Sequence, residues 1–420
     1  MKPVIQSPRG MSDLLPQSAE AFWGLHDLLL RVSNAHNFQY LGTPLIENEK
    51  VFTQSLGLAS DIVTKEMFVI KGRERGDQYV VRPEGTAGLV RAYLQNGMHA
   101  WPQPVKLFTI GPMYRRERPQ AGRYREFWQW DLEVIGSAEP ICDAQIIQIV
   151  DDLFRKLKLK DYVFKVNSLG CADDRKKYRV VLARYYRSHL RQVCEDCKRR
   201  YKTNPLRLLD CKHPDCQPIK AKAPQLLNHL CRDCETHFGK VLECLTELEI
   251  PYELDGTLVR GLDYYSRTVF EIFFLERDIA IGGGGRYDGL VKLFGGPETP
   301  AVGCAIGFER FQEILTMHQI KLSGFKKPQL FLAQTSEEAK KEALKLVSLL
   351  FKHNFFVAEA LAKSSLSSQL EVANRLGVRY VLILGHRELG QKSIILKDMV
   401  SGEQETIPQA QLIEELKRRL

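Results

Sequence analysis

The eleven residues from Arg125 to Ile135, Arg-Glu-Phe-Trp-Gln-Trp-Asp-Leu-Glu-Val-Ile, constrain the fold more than any other stretch of the chain. They read as a β-strand, and strand side chains alternate between two faces. One face then carries Trp128, Trp130, Leu132 and Val134, a packing face. The other carries Phe127, Gln129, Asp131 and Glu133. Three polar groups in a row, on a strand whose far side is core, suggest the floor of a pocket. Two carboxylates there are acceptors suited to a cationic or N–H-rich ligand. A sheet with one face in water shows the same alternation.

Such a strand needs neighbours. Val105 to Ile110 reads as the strand before it, joined through a charged loop. Ser18 to Ala35 reads as a helix with Phe22, Leu25, Leu28 and Leu29 on one side. Residues 1–170 are therefore α+β rather than a regular βαβ alternation. From 171 to 250 the chain turns basic, cysteine-rich and helical, and strand signals resume near Tyr252. That pattern predicts an inserted, mainly helical domain, provided that 1–170 and 251–323 share one sheet. Gly324 to Pro328 reads as a linker. Beyond it, strand candidates at Gln329–Ala333, Phe355–Glu359 and Tyr380–Leu384 alternate with helix candidates around Ala343–Leu350 and Ser367–Leu376. This alternation predicts a small α/β domain over 329–420 with a mainly parallel sheet.

Charge is unevenly spread. The 420-residue chain has a formal net charge of +9. Residues 171–223 hold 15 Lys and Arg against 6 Asp and Glu, so the rest nets to about zero. A concentrated basic region points to a polyanion, nucleic acid first; a solvated helical surface is the alternative. No apolar run reaches eighteen residues, and residues 1–10 lack the apolar core of a signal peptide. A cytoplasmic protein without a membrane span is expected, its ten cysteines reduced. Cys194-x₂-Cys197 and Cys231-x₂-Cys234 each have zinc-ligand spacing, with Cys211, His213 and Cys216 between them. The two pairs lie further apart than in small zinc ribbons, and reduced thiols in a helical insertion are the competing reading.

Four further segments carry candidate chemistry. Residues 115–125 contain five arginines, able to grip phosphates. Val81-Arg82-Pro83-Glu84-Gly85-Thr86-Ala87 reads as a strand end followed by a helix start, with Thr86 as N-cap. Val259-Arg260-Gly261-Leu262-Asp263-Tyr264-Tyr265 precedes a strand-like run, Thr268 to Phe274, and Gly282 to Gly285 reads as a glycine-rich turn leading into a helix. That run is neither a P-loop, since no Gly-Lys-Ser/Thr follows, nor a dinucleotide fingerprint. Pro300 to Phe311 is a small-residue strand running into a helix that begins Gly307-Phe308-Glu309-Arg310.

Together the Arg-Pro-Glu-Gly-Thr segment, the Arg260–Tyr265 loop, the arginine-rich loop and the Gly-Phe-Glu-Arg helix start resemble the signature motifs of histidyl-tRNA synthetases, over nearly the whole chain. Pro8-Arg9-Gly10-Met11, Asp61 to Met67 and Asn204 to Cys211 extend the resemblance, the last toward the bacterial form. It implies a class II antiparallel sheet with flanking helices, a helical insertion and a C-terminal α/β anticodon-binding domain. It implies a cytoplasmic homodimer, joined around Pro44, that uses L-histidine, ATP with Mg2+ and tRNA(His), with no organic cofactor. By position, Glu84, Thr86 and Gln129 would hold the amino group of histidine, with Gly85 in the same loop. Glu133 and Tyr265 would read the imidazole nitrogens, and Tyr264 would line the pocket. Arg115 and Arg260 would clamp the ATP α-phosphate as the catalytic pair, and Arg310 would meet the γ-phosphate. The resemblance does not require the cysteines, so no metal ligand is expected. A histidine-sensing regulatory paralogue would lack both Arg260 and the terminal domain; a non-ligase nucleic-acid module would have no use for the arginine set.

Overall fold

The computed structural model describes residues 5–57, 60–71, 78–119, 122–276, 280–325, 327–363 and 365–420. Gln120 and Ala121 of the arginine-rich loop and Lys326 of the linker fall outside them. The chain forms two compact units, divided between Gly324 and Phe325.

The larger unit is built on an eight-stranded sheet. Its order across the sheet is Gln39–Tyr40, Val105–Tyr114, Glu126–Ile135, Ala301–Gly307, Gly282–Arg286, Ser266–Phe274, Tyr162–Ser168 and Tyr252–Leu254. The two edge pairings are parallel and the five inner ones antiparallel. Residues 162–168 and 252–274 thus lie in one sheet, on either side of the helical segment between them. The alternation in Glu126–Ile135 works as its sequence implies. Trp130, Leu132 and Val134 enter a core with Phe22, Leu25, Leu28 and Leu29 of the helix Pro16–Ala35. On the opposite face Asp131 and Glu133 are each only 1% exposed. At these residues that face is buried, not a wet sheet side.

The glycine run is a strand, not the turn expected from its sequence. Gly282–Arg286 hydrogen-bonds to strands on both sides. Glycine lacks the alternating side chains that announce a strand, which hid this one. Its bareness is required by close approach: a Cβ on Gly284 would overlap the Gly303 carbonyl oxygen, and one on Gly283 would lie 2.8 Å from a guanidinium nitrogen of Arg260. The strand ends at Arg286, fully buried, which donates to Asp143 (2.8 Å) on the helix Pro140–Lys156 and to Asp288 (2.9 Å).

The helical segment after residue 170 does not keep a core of its own. Tyr178, Leu182, Tyr186, Cys197, Leu208 and Cys211 join the apolar cluster that holds Tyr264, Tyr265 and Tyr287. Its last helix, Arg232–Glu247, packs Phe238, Val241 and Leu245 into the core beneath the sheet.

The smaller unit is α/β, but its sheet is mixed. The order is Val357–Glu359, Leu330–Gln334, Tyr380–Leu384, Ser393–Asp398, Gln404–Pro408. The first three are parallel; the last two are antiparallel. The expectation of a mainly parallel sheet came from the first half of the domain. After Tyr380–Leu384 the chain turns back through the short helix His386–Gly390 to pair antiparallel, and a tight turn adds the last strand.

Because the Gly284 contact is with backbone on a neighbouring strand, no rotamer change relieves it. Gly284→Ala is expected to destabilise the larger unit by about 2–3 kcal/mol, the scale of an overpacked core. A lowered urea midpoint, measured against Gly289→Ala, where a Cβ meets nothing within 4 Å, checks this.

Candidate active site

Three carboxylates meet on the pocket floor. Glu84 follows the strand Gln78–Val81 and precedes the helix Thr86–Gln95. Its carboxylate accepts the backbone N–H groups of Thr86 (3.0 Å) and Ala87 (2.8 Å), and the Tyr264 hydroxyl donates to it at 3.3 Å. Glu84, rather than Thr86, therefore caps the helix. The Thr86 hydroxyl is engaged elsewhere: it donates to Glu133 Oε1 at 2.6 Å. The other oxygen of Glu133 accepts from Tyr287. Gly303 makes room for this group, since a Cβ there would overlap Glu133 Oε2.

Asp131 sits between Gln129 and Glu133 on the same face. It is fully buried, and neither of its oxygens has a hydrogen-bond partner among the described residues; the same holds for Gln129 Oε1. An orphaned buried acceptor costs free energy unless a ligand satisfies it. Burial, reinforced by the charge of Glu84, raises the Asp131 carboxyl to about 8 against the pull of Arg82 and Arg115. Burial likewise raises Glu84, against the N–H of Ala87, Arg115, the N–H of Thr86 and the Tyr264 hydroxyl. It raises Glu133 well above the usual range despite its bonds from Thr86 and Tyr287. A pocket with three such acceptors attracts a cation that brings its own N–H donors.

Aromatic rings wall the floor. Tyr264 and Tyr265 lie 4.6 Å apart by ring centroid, and Tyr264 meets Tyr287 edge-on at 5.7 Å. Burial raises Tyr265 to about 12, so its hydroxyl keeps its proton at neutral pH.

Cations sit beside this acidic floor. Arg115 donates from Nε to the Pro83 carbonyl (2.9 Å) and lies over the Phe127 ring at 5.1 Å. Arg310 donates to the carbonyls of Gly122 (2.8 Å) and Ala280 (2.6 Å). Its charge is disfavoured by burial and then by repulsion from Arg123 and Arg115. Arg260 crosses the glycine strand, donates to Glu271 Oε1 at 2.6 Å and lies over the Tyr265 ring at 5.6 Å; its Nε has no hydrogen-bond partner among the described residues. Burial opposes its charge, but Tyr265, Glu271 and Tyr264 outweigh that and hold it protonated. Guanidinium groups gathered against their mutual repulsion mark a site for a polyanion.

The Arg260–Tyr265 loop is braced from outside. Arg175 donates to the Tyr265 carbonyl and Arg207 to that of Gly261. Asn204 donates to Asp263 Oδ1 at 3.2 Å, and Arg207 lies 3.4 Å from the same oxygen.

The sequence thus placed Glu84, Thr86, Gln129, Glu133, Tyr264, Arg115, Arg260 and Arg310 on elements that the fold gathers along one face. It marked Asp131 as an acceptor on the same floor as Glu133, but the family resemblance gave that residue no specific role. It also missed Tyr287, two residues beyond the glycine run, whose partnership with Glu133 only the fold reveals.

A raised carboxyl is ionised at a cost in the folded state. That cost is absent below about pH 4, where the unfolded carboxyl is also neutral, and it grows as pH rises toward about 8. Asp131→Asn removes it. The variant is expected to melt higher than the parent without ligand, with a margin that widens from pH 5 to pH 8 in scanning calorimetry.

Comparison with known proteins locates this arrangement. A family model described as histidyl-tRNA synthetase matches residues 10–311, and one described as an anticodon-binding domain matches residues 329–419. A histidine–tRNA ligase of Natranaerobius thermophilus is 42% identical over 418 residues, 99% of each chain. One from Dehalococcoides mccartyi strain BAV1 is 41% identical over 419 residues, covering 99% of this chain and 100% of the relative. The crystal structure of apo Staphylococcus aureus histidyl-tRNA synthetase matches with a TM-score of 0.81 at 30% identity, covering 98% of this chain and 99% of that one.

Proposed function

The chain belongs to the histidyl-tRNA synthetase family, and from that premise we propose how its residues divide the work of a histidine–tRNA ligase. The substrates are L-histidine, ATP and tRNA(His). The observation that carries the division of labour is the acidic floor set beside the arginine row: an ammonium ion fits the first and a phosphate chain the second.

Glu84, Thr86 and Gln129 hold the α-ammonium group of histidine, with Gly85 keeping the loop close. Thr86 gives its proton to Glu133, so its oxygen lone pairs face incoming N–H donors. Asp131, with both oxygens unpartnered, joins this set as a further acceptor. Glu133, locked by Thr86 and Tyr287, and Tyr265 read the two imidazole nitrogens, while Tyr264 lines the pocket. An amino acid lacking either nitrogen leaves buried polar groups unpaired, which is the strong form of discrimination.

In the first step a histidine carboxylate oxygen attacks the α-phosphorus of ATP in line, and the bond to pyrophosphate breaks. Arg115 and Arg260 act on the α-phosphate oxygens, where charge builds, as preorganised electrostatic stabilisers. Arg310 meets the γ-phosphate. No protein nucleophile is needed; orientation supplies much of the rate. Mg2+ would arrive with the nucleotide. Glu271, a carboxylate beside Arg260, suits such a hard cation, whose contribution is to neutralise phosphate charge. In the second step the terminal ribose hydroxyl of the tRNA attacks the carbonyl of the histidyl-adenylate and releases AMP.

Residues 1–170 with 251–323 serve as the catalytic core. The terminal domain reads the anticodon, and the basic 171–250 segment approaches the tRNA body. A homodimer is supported by the stretch around Pro44, where Tyr40, Leu45 and Ile46 are exposed apolar side chains. No described helix is long and apolar enough to cross a membrane, in keeping with work in the cytoplasm. Arg260 together with the terminal domain favours the ligase over a histidine-sensing regulatory paralogue.

Histidine-dependent ATP–pyrophosphate exchange tests the reading. The parent is expected to exchange with histidine alone among the amino acids. Arg260→Ala should lose roughly 10²–10³-fold in kcat, as for removal of one donor to developing charge. Arg260→Lys should remain well below the parent, because a point charge lacks the planar fork. Undiminished exchange in Arg260→Ala would refute the assignment of that residue.

A further inference from the structure

Four cysteines of the helical segment converge on one point. Cys194, Cys197, Cys211 and Cys216 place their sulfurs within 4.8 Å of one another. The two Cys-x₂-Cys pairs do not meet each other: Cys194 and Cys197 meet Cys211 and Cys216 instead. The Sγ–Sγ separations are 3.8 Å for Cys194 and Cys211 and 3.9 Å for Cys197 and Cys216. A disulfide needs about 2.05 Å, and all four are free thiols. A tetrahedron with metal–sulfur bonds of about 2.3 Å has edges of about 3.8 Å. These two separations match that edge, and the other four are within 4.8 Å.

Backbone N–H groups reach two of the sulfurs. The backbone N–H of Cys194 donates to Cys216 Sγ at 3.3 Å, and that of His213 donates to Cys211 Sγ at 3.4 Å. Donors of this kind orient sulfur ligands around a metal. Three of the four cysteines are buried and Cys194 is half-buried, as in a closed structural site rather than one open to substrate. We propose that Cys194, Cys197, Cys211 and Cys216 bind one structural Zn2+, contrary to the expectation of no metal drawn from the family resemblance.

The position of the site gives the metal a task. The helix Glu195–Thr203 begins at the Cys194–Cys197 pair, and the chain from Asn204 to Arg207 leads on to Cys211. Between the ligand pairs lie Arg200, which donates to Asp61 at 3.0 Å, and Asn204 and Arg207, which brace the Arg260–Tyr265 loop. The ion ties both ends of the brace together. It acts on the reaction only through the placement of Arg260, so these residues are positioning residues.

A second convergence explains itself without a metal. Cys171, Cys231 and Cys234 surround Asp174, but that carboxylate already accepts the backbone N–H groups of Cys171 (3.3 Å) and Cys231 (3.1 Å). It caps two helices at once, and no ion is assigned there.

The test is metal content of the full-length protein, purified without chelator. Roughly one equivalent of tightly held zinc is expected, and Cys211→Ser should lose it. Since a ligand variant is itself exposed to misfolding, the parent supplies a second reading. Titration of its thiols with an organomercurial should release the zinc stoichiometrically. Cobalt added to the reduced, zinc-stripped parent should give the intense visible bands of tetrahedral thiolate coordination. Zinc removal should slow histidine-dependent exchange by roughly ten- to a hundredfold, the scale of a misplaced catalytic group, and restoring zinc should recover it. A parent with neither zinc nor cobalt bands overturns the proposal, as does zinc content unchanged in Cys211→Ser. Both readings stand apart from the ligase assignment, because they do not depend on activity.

Discussion

Burial of three carboxylates on one pocket floor is the constraint to which the rest of the larger unit answers. Glu84, Asp131 and Glu133 are each at most 3% exposed, and water would solvate them far better than protein does. The fold meets the cost unevenly. Glu84 is satisfied by a helix N-terminus and Glu133 by two hydroxyls, while Asp131 has no hydrogen-bond partner among the described residues. This leaves unmet acceptors at Asp131 and Gln129, which the proposed histidine substrate would complete. Gly303 follows from the same constraint, because a Cβ there would strike Glu133; Gly283 and Gly284 are bare for other reasons, the approach of Arg260 and of the neighbouring strands.

The proposed reading puts opposite signs to use on one surface: the acidic floor would orient the amino acid, and the arginines would receive the phosphates. Arg260 joins the two, stacking on Tyr265 while pairing with Glu271. Its loop is held by Arg175, Asn204 and Arg207 from the helical segment. That segment is therefore more than a basic surface for nucleic acid: it shares the core beneath the catalytic loop, and the proposed zinc site fixes the turn that supports it.

What the sequence disclosed follows from periodicity and local chemistry. The alternation from Phe127 to Val134 revealed both a strand and the opposite characters of its faces. The helix carrying Phe22, Leu25, Leu28 and Leu29, and the strand Tyr380–Leu384, were equally plain. The Gly282–Arg286 strand was not, because glycine carries no hydrophobic period. The antiparallel end of the terminal sheet was hidden for a different reason: the parallel alternation before it gave no notice that crossovers would stop. Thr86 looked like a cap by residue type, yet Glu84 takes the helix N–H groups because Glu133 claims the Thr86 hydroxyl from 47 residues away. Tyr287, the unpartnered state of Asp131 and the regrouping of the cysteines are likewise facts of tertiary contact, beyond the reach of spacing.

The central claim is that histidine completes a floor whose Asp131 is held protonated until the ammonium ion arrives. Calorimetry of histidine binding at pH 7, in buffers of different ionisation enthalpy, counts the protons exchanged. Ionisation of Asp131 on binding predicts that the parent releases up to about one proton more than Asp131→Asn, the imidazole of the ligand contributing equally to both. Equal proton counts for the two proteins, each shown to bind histidine, would contradict the account.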